Sequence, residues 1–377
     1  MSGLVIFGTR PEAIKLAPVV NTLRRRLGPC RLQVVTSGQH SEILEQTLGA
    51  LNLSVDHNLN IMQPNQSPSQ VLERAVAGLN KTFEQASVDW VMVQGDTATA
   101  FAGALFGYFL KVPVIHLEAG LRTHDLQEPW PEEGLRQNIA RLATLHLAPY
   151  PRALQNLLDE GIDSANIEVV GNPGLDAQDA AFQAVAASKE TARLLAEKFF
   201  LVSLHRRENS GPRLRETCYR IQELARLHPD HKVIWPVHPS PRIRRTAIEI
   251  FGDQIGQVEL CLPFDYPDFL SAQKAAELII SDSGGVQEEA PTYGTGVAVV
   301  REKTERTEVV EFGLAKVVGG DARNLIEVAD EFLSHPISPN QVRDWRRLQG
   351  NGHAAEAASE AILAHLASPY ASSARLA

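Results

Sequence analysis

Leu4-Val5-Ile6-Phe7-Gly8-Thr9-Arg10-Pro11-Glu12-Ala13-Ile14-Lys15 is a short apolar run that breaks at a glycine and passes into a helical pattern. Four apolar residues in a row suit a strand buried on both faces. Pro11 suits the first helical position, where a missing N–H goes unnoticed. The same strand–turn–helix unit recurs along the chain. Strands are expected at Leu32–Val35, Trp90–Val93, Val112–Leu117 and Ile167–Val170. A second series is expected at Phe200–Leu204, Lys232–Trp235, Val258–Leu262, Leu278–Ser281 and Val297–Val300. Amphipathic stretches such as Ala13–Leu27, Val71–Phe83, Thr97–Leu110 and Leu214–Leu227 lie between them. Alternating units of this kind imply an α/β fold: parallel sheets with helices on both faces, in two Rossmann-like doubly wound domains.

A length of 377 residues suits two such domains. The turn Gly171-Asn172-Pro173-Gly174 interrupts the pattern, which places an N-terminal domain at 1–172 and a C-terminal one at 173–353. An alanine-rich stretch, Ala177–Phe199, leads into the second series. A last helix at about 354–367 has the option of packing back on the first domain, and Ser368–Ala377 reads as a frayed tail. Hydrophobic residues at 44% and charged residues at 21% are ordinary for a globular protein. The net charge of −9 argues against nucleic acid or an anionic membrane as the main partner. No apolar run is long enough to span a bilayer: the longest, Phe101 to Leu110, stops at Lys111. The first apolar run lacks a preceding basic region and reads as a strand, not a signal peptide. Three scattered cysteines, Cys30, Cys218 and Cys261, suit a reducing cytoplasm and form no metal-binding pair.

In open α/β sheets ligands bind beyond the carboxyl ends of the strands, so chemistry is sought in those loops. Arg10 and Lys15 beside the start of the first helix suit an anion. Asp96, after Trp90–Val93, sits where a helix cap belongs. Glu118, at the tip of His116-Leu117-Glu118, is less easily read as a cap, and burial there would raise its pKa as a general acid or base needs. Glu132 and Arg136 share one helix face, in which an exposed ion pair is the plain alternative. In the second half, His205-Arg206-Arg207 suits a diphosphate. Ser281-Asp282-Ser283-Gly284-Gly285 lets backbone amides approach a phosphate, and Glu288 and Glu289 are placed for a sugar diol. His116, His146 and His231 lack a partner pattern and read as packing or surface residues. No metal-binding motif, GxGxxG, Walker pattern or GxSxG elbow occurs. Anion-binding loops with carboxylates suit a nucleotide sugar held in a cleft that the two domains face.

Together these motifs resemble the non-hydrolysing UDP-N-acetylglucosamine 2-epimerases. The resemblance is carried by Phe7–Lys15, Gly38-Gln39-His40, Gly95–Thr97, His116–Thr123, Pro129–Glu133, His205–Asn209, Ser281–Pro291 and Thr304–Arg306, in order over about residues 4 to 313. It implies a glycosyltransferase-B-type fold and interconversion of UDP-GlcNAc and UDP-ManNAc with no cofactor or metal. UDP is eliminated to leave a 2-acetamidoglucal and is then added back. Carried over by motif, Asp96, Glu118, Glu132, Arg136 and His205 form the catalytic set. Arg10, Lys15, Phe269, Ser283, Gly284, Gly285, Glu289 and Arg306 hold the UDP-sugar. Gln39, His40 and His238 match positions linked to a second, activating UDP-GlcNAc. The resemblance also implies a homodimer in the cytoplasm. Asp96 or Glu118 is the expected base, with Glu132 assisting through Arg136.

Departures from the family pattern are Leu135, Phe264, Gly296, Thr307, Pro239-Ser240-Pro241 and the shortened Gly350-Asn351-Gly352-His353. They suggest a divergent member. The competing readings are a hydrolysing 2-epimerase that releases ManNAc and UDP, a glycosyltransferase of the same fold, and a catalytically silent sensor.

Overall fold

The computed structural model describes residues 1–38, 42–63, 66–184, 188, 191–192, 195–206, 211–252 and 257–368. Gln39, His40, Arg207-Glu208-Asn209, part of the Ala177–Phe199 stretch and the tail beyond Ser368 lie outside the described residues. The chain divides into two compact units, Met1–Ala180 with Leu348–Ala377, and Ala181–Arg347.

The first unit contains β1 (Gly3–Phe7), α1 (Arg10–Leu27), β2 (Leu32–Thr36), α2 (Glu42–Ala50), β3 (His57–Asn58), α3 (Pro68–Phe83) and β4 (Trp90–Gln94). It continues with α4 (Ala98–Phe109), β5 (Val114–Leu117), α5 (Glu132–Leu142), β6 (Leu145–Ala148), α6 (Pro151–Asp159) and β7 (Ile167–Val169), and α7 (Pro173–Ala184) follows. Its sheet runs β3-β2-β1-β4-β5-β6-β7, and every pairing is parallel. The apolar strands are buried along their length because helices cover both faces. Ile6, Val91 and Val93 pack with Ala100, Ala104 and Ile139 from α4 and α5.

The second unit contains β8 (Phe199–Ser203), α8 (Pro212–Leu227), β9 (Lys232–Pro236), α9 (Pro241–Phe251), β10 (Val258–Cys261), α10 (Tyr266–Ala275) and β11 (Leu278–Ser281). It continues with α11 (Gly284–Glu289), β12 (Gly296–Val299), α12 (Thr307–Glu311), β13 (Ala315–Val317), α13 (Leu325–Ser334) and α14 (Pro339–Leu348). The sheet order β10-β9-β8-β11-β12-β13 repeats the doubly wound pattern, again all parallel. The last helix, α15 (Ala354–Ala367), belongs to the first unit, where it packs against α1 and β6.

The division lies at Ala180 and Leu348, where the sequence reading placed it after 172 and 353. Backbone and side-chain hydrogen bonds explain the difference. Asn172 N donates to Gln349 O at 3.0 Å. Asp176 on α7 accepts from Ala355 N, at the start of α15, at 2.9 Å. These tie α7 and residues 348–355 to each other within the first unit. No described helix is long and apolar enough to cross a membrane.

Candidate functional site

In the first unit the strand order reverses between β1 and β4, and the loops beyond their carboxyl ends carry the sequence-predicted residues. Gly8 lets β1 pass into α1 there: a Cβ on it would lie 2.5 Å from Thr99 Oγ1 and 2.8 Å from Ser37 Oγ. Arg10 opens α1, and one turn on the buried Lys15 ion-pairs with Glu118, the residue that follows β5. Glu118 has φ of +66°, a left-handed conformation uncommon outside glycine, which turns the chain sharply as it leaves β5. Its second carboxylate oxygen accepts from Gln94 Nε2, at the end of β4. A Cβ on Gly95 would stand 3.6 Å from that oxygen, so the turn bearing Asp96 runs directly beside the Glu118 carboxylate.

Asp96 is ion-paired with Arg136 of α5, and Arg136 also donates to Glu133 at 3.2 Å. Glu133 is fully buried and further accepts from Thr123 N at 3.0 Å and His124 N at 3.2 Å. It anchors Arg136 rather than facing a ligand. Glu132, partly buried, begins α5 one helical turn before Arg136. Lys15 with Glu118, and Asp96 with Arg136, therefore form two adjacent cation–carboxylate pairs at one sheet edge. The pairing fixes the direction in which each carboxylate points.

In the second unit the reversal falls between β8 and β11. Asp282, wholly buried after β11, accepts from His205 N at 3.0 Å and from Arg206 N at 3.0 Å. The same carboxylate lies 3.3 Å from His205 Nδ1. This fixes the loop after β8 and turns Nε2 of His205 the other way, on a side chain 40% exposed. The ring of His238, two residues beyond β9, has its centroid 6.0 Å from that of His205. Its Nδ1 accepts from Ser240 N at 3.1 Å, within the Pro239-Ser240-Pro241 departure.

Ser283 precedes α11, whose first residues are Gly284 and Gly285. A Cβ on Gly284 would lie 3.0 Å from Arg306 Cζ, so the guanidinium rests against bare backbone. Arg306 is held by Glu305 and, at 3.4 Å, by Glu288. Arg301 pairs with the same Glu305 at 2.9 Å. The charge run Arg301–Glu308 is thus largely a buried ion network, not a solvated face. Glu289 accepts from Gln273 Nε2 of α10 at 3.0 Å, and Phe269 lies on the same α10, partly buried. Bare amides, a fixed arginine and a carboxylate suit a diphosphate and a ribose diol.

Sequence reasoning missed Gln94, Asp282 and Glu305, which orient Glu118, His205 and Arg306. Gln94 and Asp282 are far in sequence from their partners, and only the strand order makes them neighbours; Glu305 adjoins Arg306, but a charge run does not announce that it is buried. It also read His116 as unpartnered. His116 Nε2 donates to Gly95 O at 2.8 Å, and burial lowers its pKa to about 4. Among the described residues no cluster of three or more His, Cys, Asp or Glu is placed to hold a metal ion.

The family model for UDP-N-acetylglucosamine 2-epimerase matches residues 23–363. The chain belongs to this family. The UDP-N-acetylglucosamine 2-epimerase of Escherichia coli K12 is 36% identical over 375 residues, covering 96% of this chain and 98% of that one. The crystal structure of UDP-GlcNAc 2-epimerase from Neisseria meningitidis bound to UDP-GlcNAc superposes with a TM-score of 0.88. It is 35% identical and covers 96% of this chain and 100% of that one. The S. aureus MnaA–UDP co-structure gives a TM-score of 0.85 at 36% identity, covering 94% of each chain. The glycosyltransferase-B-type α/β fold of the 2-epimerases is therefore this chain's fold. The family match also reaches past Arg306, where the quoted motifs end, into α15.

Proposed function

We propose that this epimerase-family member interconverts UDP-GlcNAc and UDP-ManNAc, keeping UDP attached in the product. The observation that carries the reading is the pair of oriented carboxylates, Asp96 against Arg136 and Glu118 against Lys15, at the switch point of the first sheet. Proton removal at C2, which is not next to a carbonyl, must be coupled to departure of the diphosphate. One carboxylate takes the C2 proton, the C1–C2 double bond forms, and the C1–O electron pair leaves with UDP. In the return step the UDP oxygen attacks C1, and a second acidic group protonates C2 from the opposite face. No redox change occurs, and every proton removed is replaced.

In this reading Asp96 or Glu118 is the base, and Glu132 with Arg136 assists. His205 and Arg10 stabilise charge on the departing UDP. Ser283, Gly284, Gly285 and Arg306 hold the diphosphate, Glu289 the ribose, and Phe269 the nucleoside end. His238, beside His205, is the described member of the set assigned to an activating second UDP-GlcNAc. The same reading makes the enzyme a cytoplasmic homodimer.

Incubation with UDP-GlcNAc in D2O, followed by proton NMR, tests this. The expected result is deuterium at C2 and UDP-ManNAc as the only new species. Free ManNAc would establish the hydrolysing reaction instead. Absence of C2 exchange would overturn the epimerase reading.

A further inference from the structure

Glu12 is assigned no part in the reaction above, yet it is a carboxyl with only 2% exposure in the middle of the catalytic edge. One oxygen accepts from Gly8 N at 3.0 Å, Thr9 N at 2.7 Å and Thr9 Oγ1 at 2.8 Å. The other accepts from Thr97 Oγ1 at 2.8 Å. The Thr97 hydroxyl in turn accepts from Ala100 N at 3.0 Å and so caps α4. Glu12 thereby joins two loops that meet only at the switch point, the one after β1 and the one after β4. Asp96 lies between two tethered neighbours: Gly95 is fixed through its carbonyl by His116, and Thr97 through its hydroxyl by Glu12. Burying a carboxyl is costly, and an N-cap needs no such partner. A second element held at hydrogen-bond distance explains the arrangement better than helix capping alone.

We propose that Glu12 and Thr97 act as one positioning unit for Asp96, fixing the turn that presents its carboxylate to the sugar. This rests on the reading of Asp96 as a catalytic group. Burial outweighs the four hydrogen bonds and raises the Glu12 pKa to about 7, which marks how little solvent reaches the link.

The test uses the full-length chain and steady-state C2 exchange with UDP-GlcNAc, with UDP affinity measured on each variant. Thr97→Val keeps the side chain's shape and removes the tether. It should lower kcat about tenfold or more while KM and UDP affinity stay within about twofold, because displacement of a reacting group by a fraction of an ångström is expensive in rate. Thr97→Ser restores the hydroxyl and should return kcat to within about threefold of wild type. Glu12→Leu serves as the second variant should the valine protein not fold. It leaves the Thr97 hydroxyl nothing to donate to across the two loops, so kcat should again fall at unchanged KM. The double variant should lose no more than the worse single one, since both break one link. Wild-type kcat in Thr97→Val or Glu12→Leu, with Asp96→Asn inactive, would overturn the positioning proposal alone. Wild-type exchange in Asp96→Asn would overturn the role of Asp96, and this proposal with it.

Discussion

His116 and His146 lie opposite each other in the register of β5 and β6, both essentially without solvent contact. Burial holds the His146 pKa at about 3, well below the 6.5 of an ordinary histidine, with the nearby His116 contributing further. The sign follows from proton counting. As pH falls below 6.5 the unfolded chain takes up a proton that the folded chain refuses, so stability is lost progressively until about pH 3. At about pH 5 this amounts to about 2 kcal/mol. Glu12 and Asp176 titrate with the opposite sign: their raised values, about 7 and about 6, remove stability as pH rises. Comparing His146→Leu with wild type isolates the histidine. Urea midpoints should show the variant losing about 2 kcal/mol less between about pH 7.5 and pH 5, and parallel losses would refute the assignment. At the same scale, Asp96→Asn or Glu118→Gln should reduce C2 exchange by about a thousandfold while UDP binding persists. Exchange at the wild-type rate in either variant would remove that residue from the chemistry.

Elements place these residues, and the connection between β8 and β11 shows how. Asp282 gathers three contacts from the loop after β8, so one buried carboxylate fixes both His205 and Arg206. Asp282→Asn keeps the volume but offers one acceptor oxygen where two are used. A cost of about 1–3 kcal/mol is expected, with His205-dependent turnover falling more than UDP affinity. Denaturation and exchange kinetics on the same protein would reveal either effect. Long apolar runs made the inner strands readable before any coordinates. The unread ones were β3, two residues long, β6, interrupted by His146, and β13, three residues long. Such segments carry too little hydrophobic pattern to announce themselves and are recruited by neighbouring strands. Asp96, Glu118, His205 and Ser283 were legible for the same reason the inner strands were: each lies one or two residues beyond a strand's carboxyl end. Their supports were not, because the pairing of Gln94 with Glu118, or of Glu12 with Thr97, depends on which strands become neighbours.

At the scale of the whole molecule, the two sheets repeat one strand order, and each presents its polar groups at its own switch point. The first unit is built from separated pieces of chain, and α15 completes it by burying Ala358, Ile362 and Leu366. Burial of each of the two larger side chains is worth about 1.5–3 kcal/mol. A chain ending before Ala354 should therefore lose amide protection across β1, β6 and α1, while β8 to β13 keep theirs in hydrogen exchange. Uniform loss over both units would contradict this division.

The split first unit also bears on biosynthesis. Residues 181–347 leave the ribosome as one uninterrupted piece and can fold in the order they are made. The N-terminal unit, although translated earlier, must wait for its closing helix until the whole of the second unit has been made. During that interval the face of α1 that α15 will cover stays open, which makes premature termination between the second unit and α15 unusually damaging to the half of the protein encoded first.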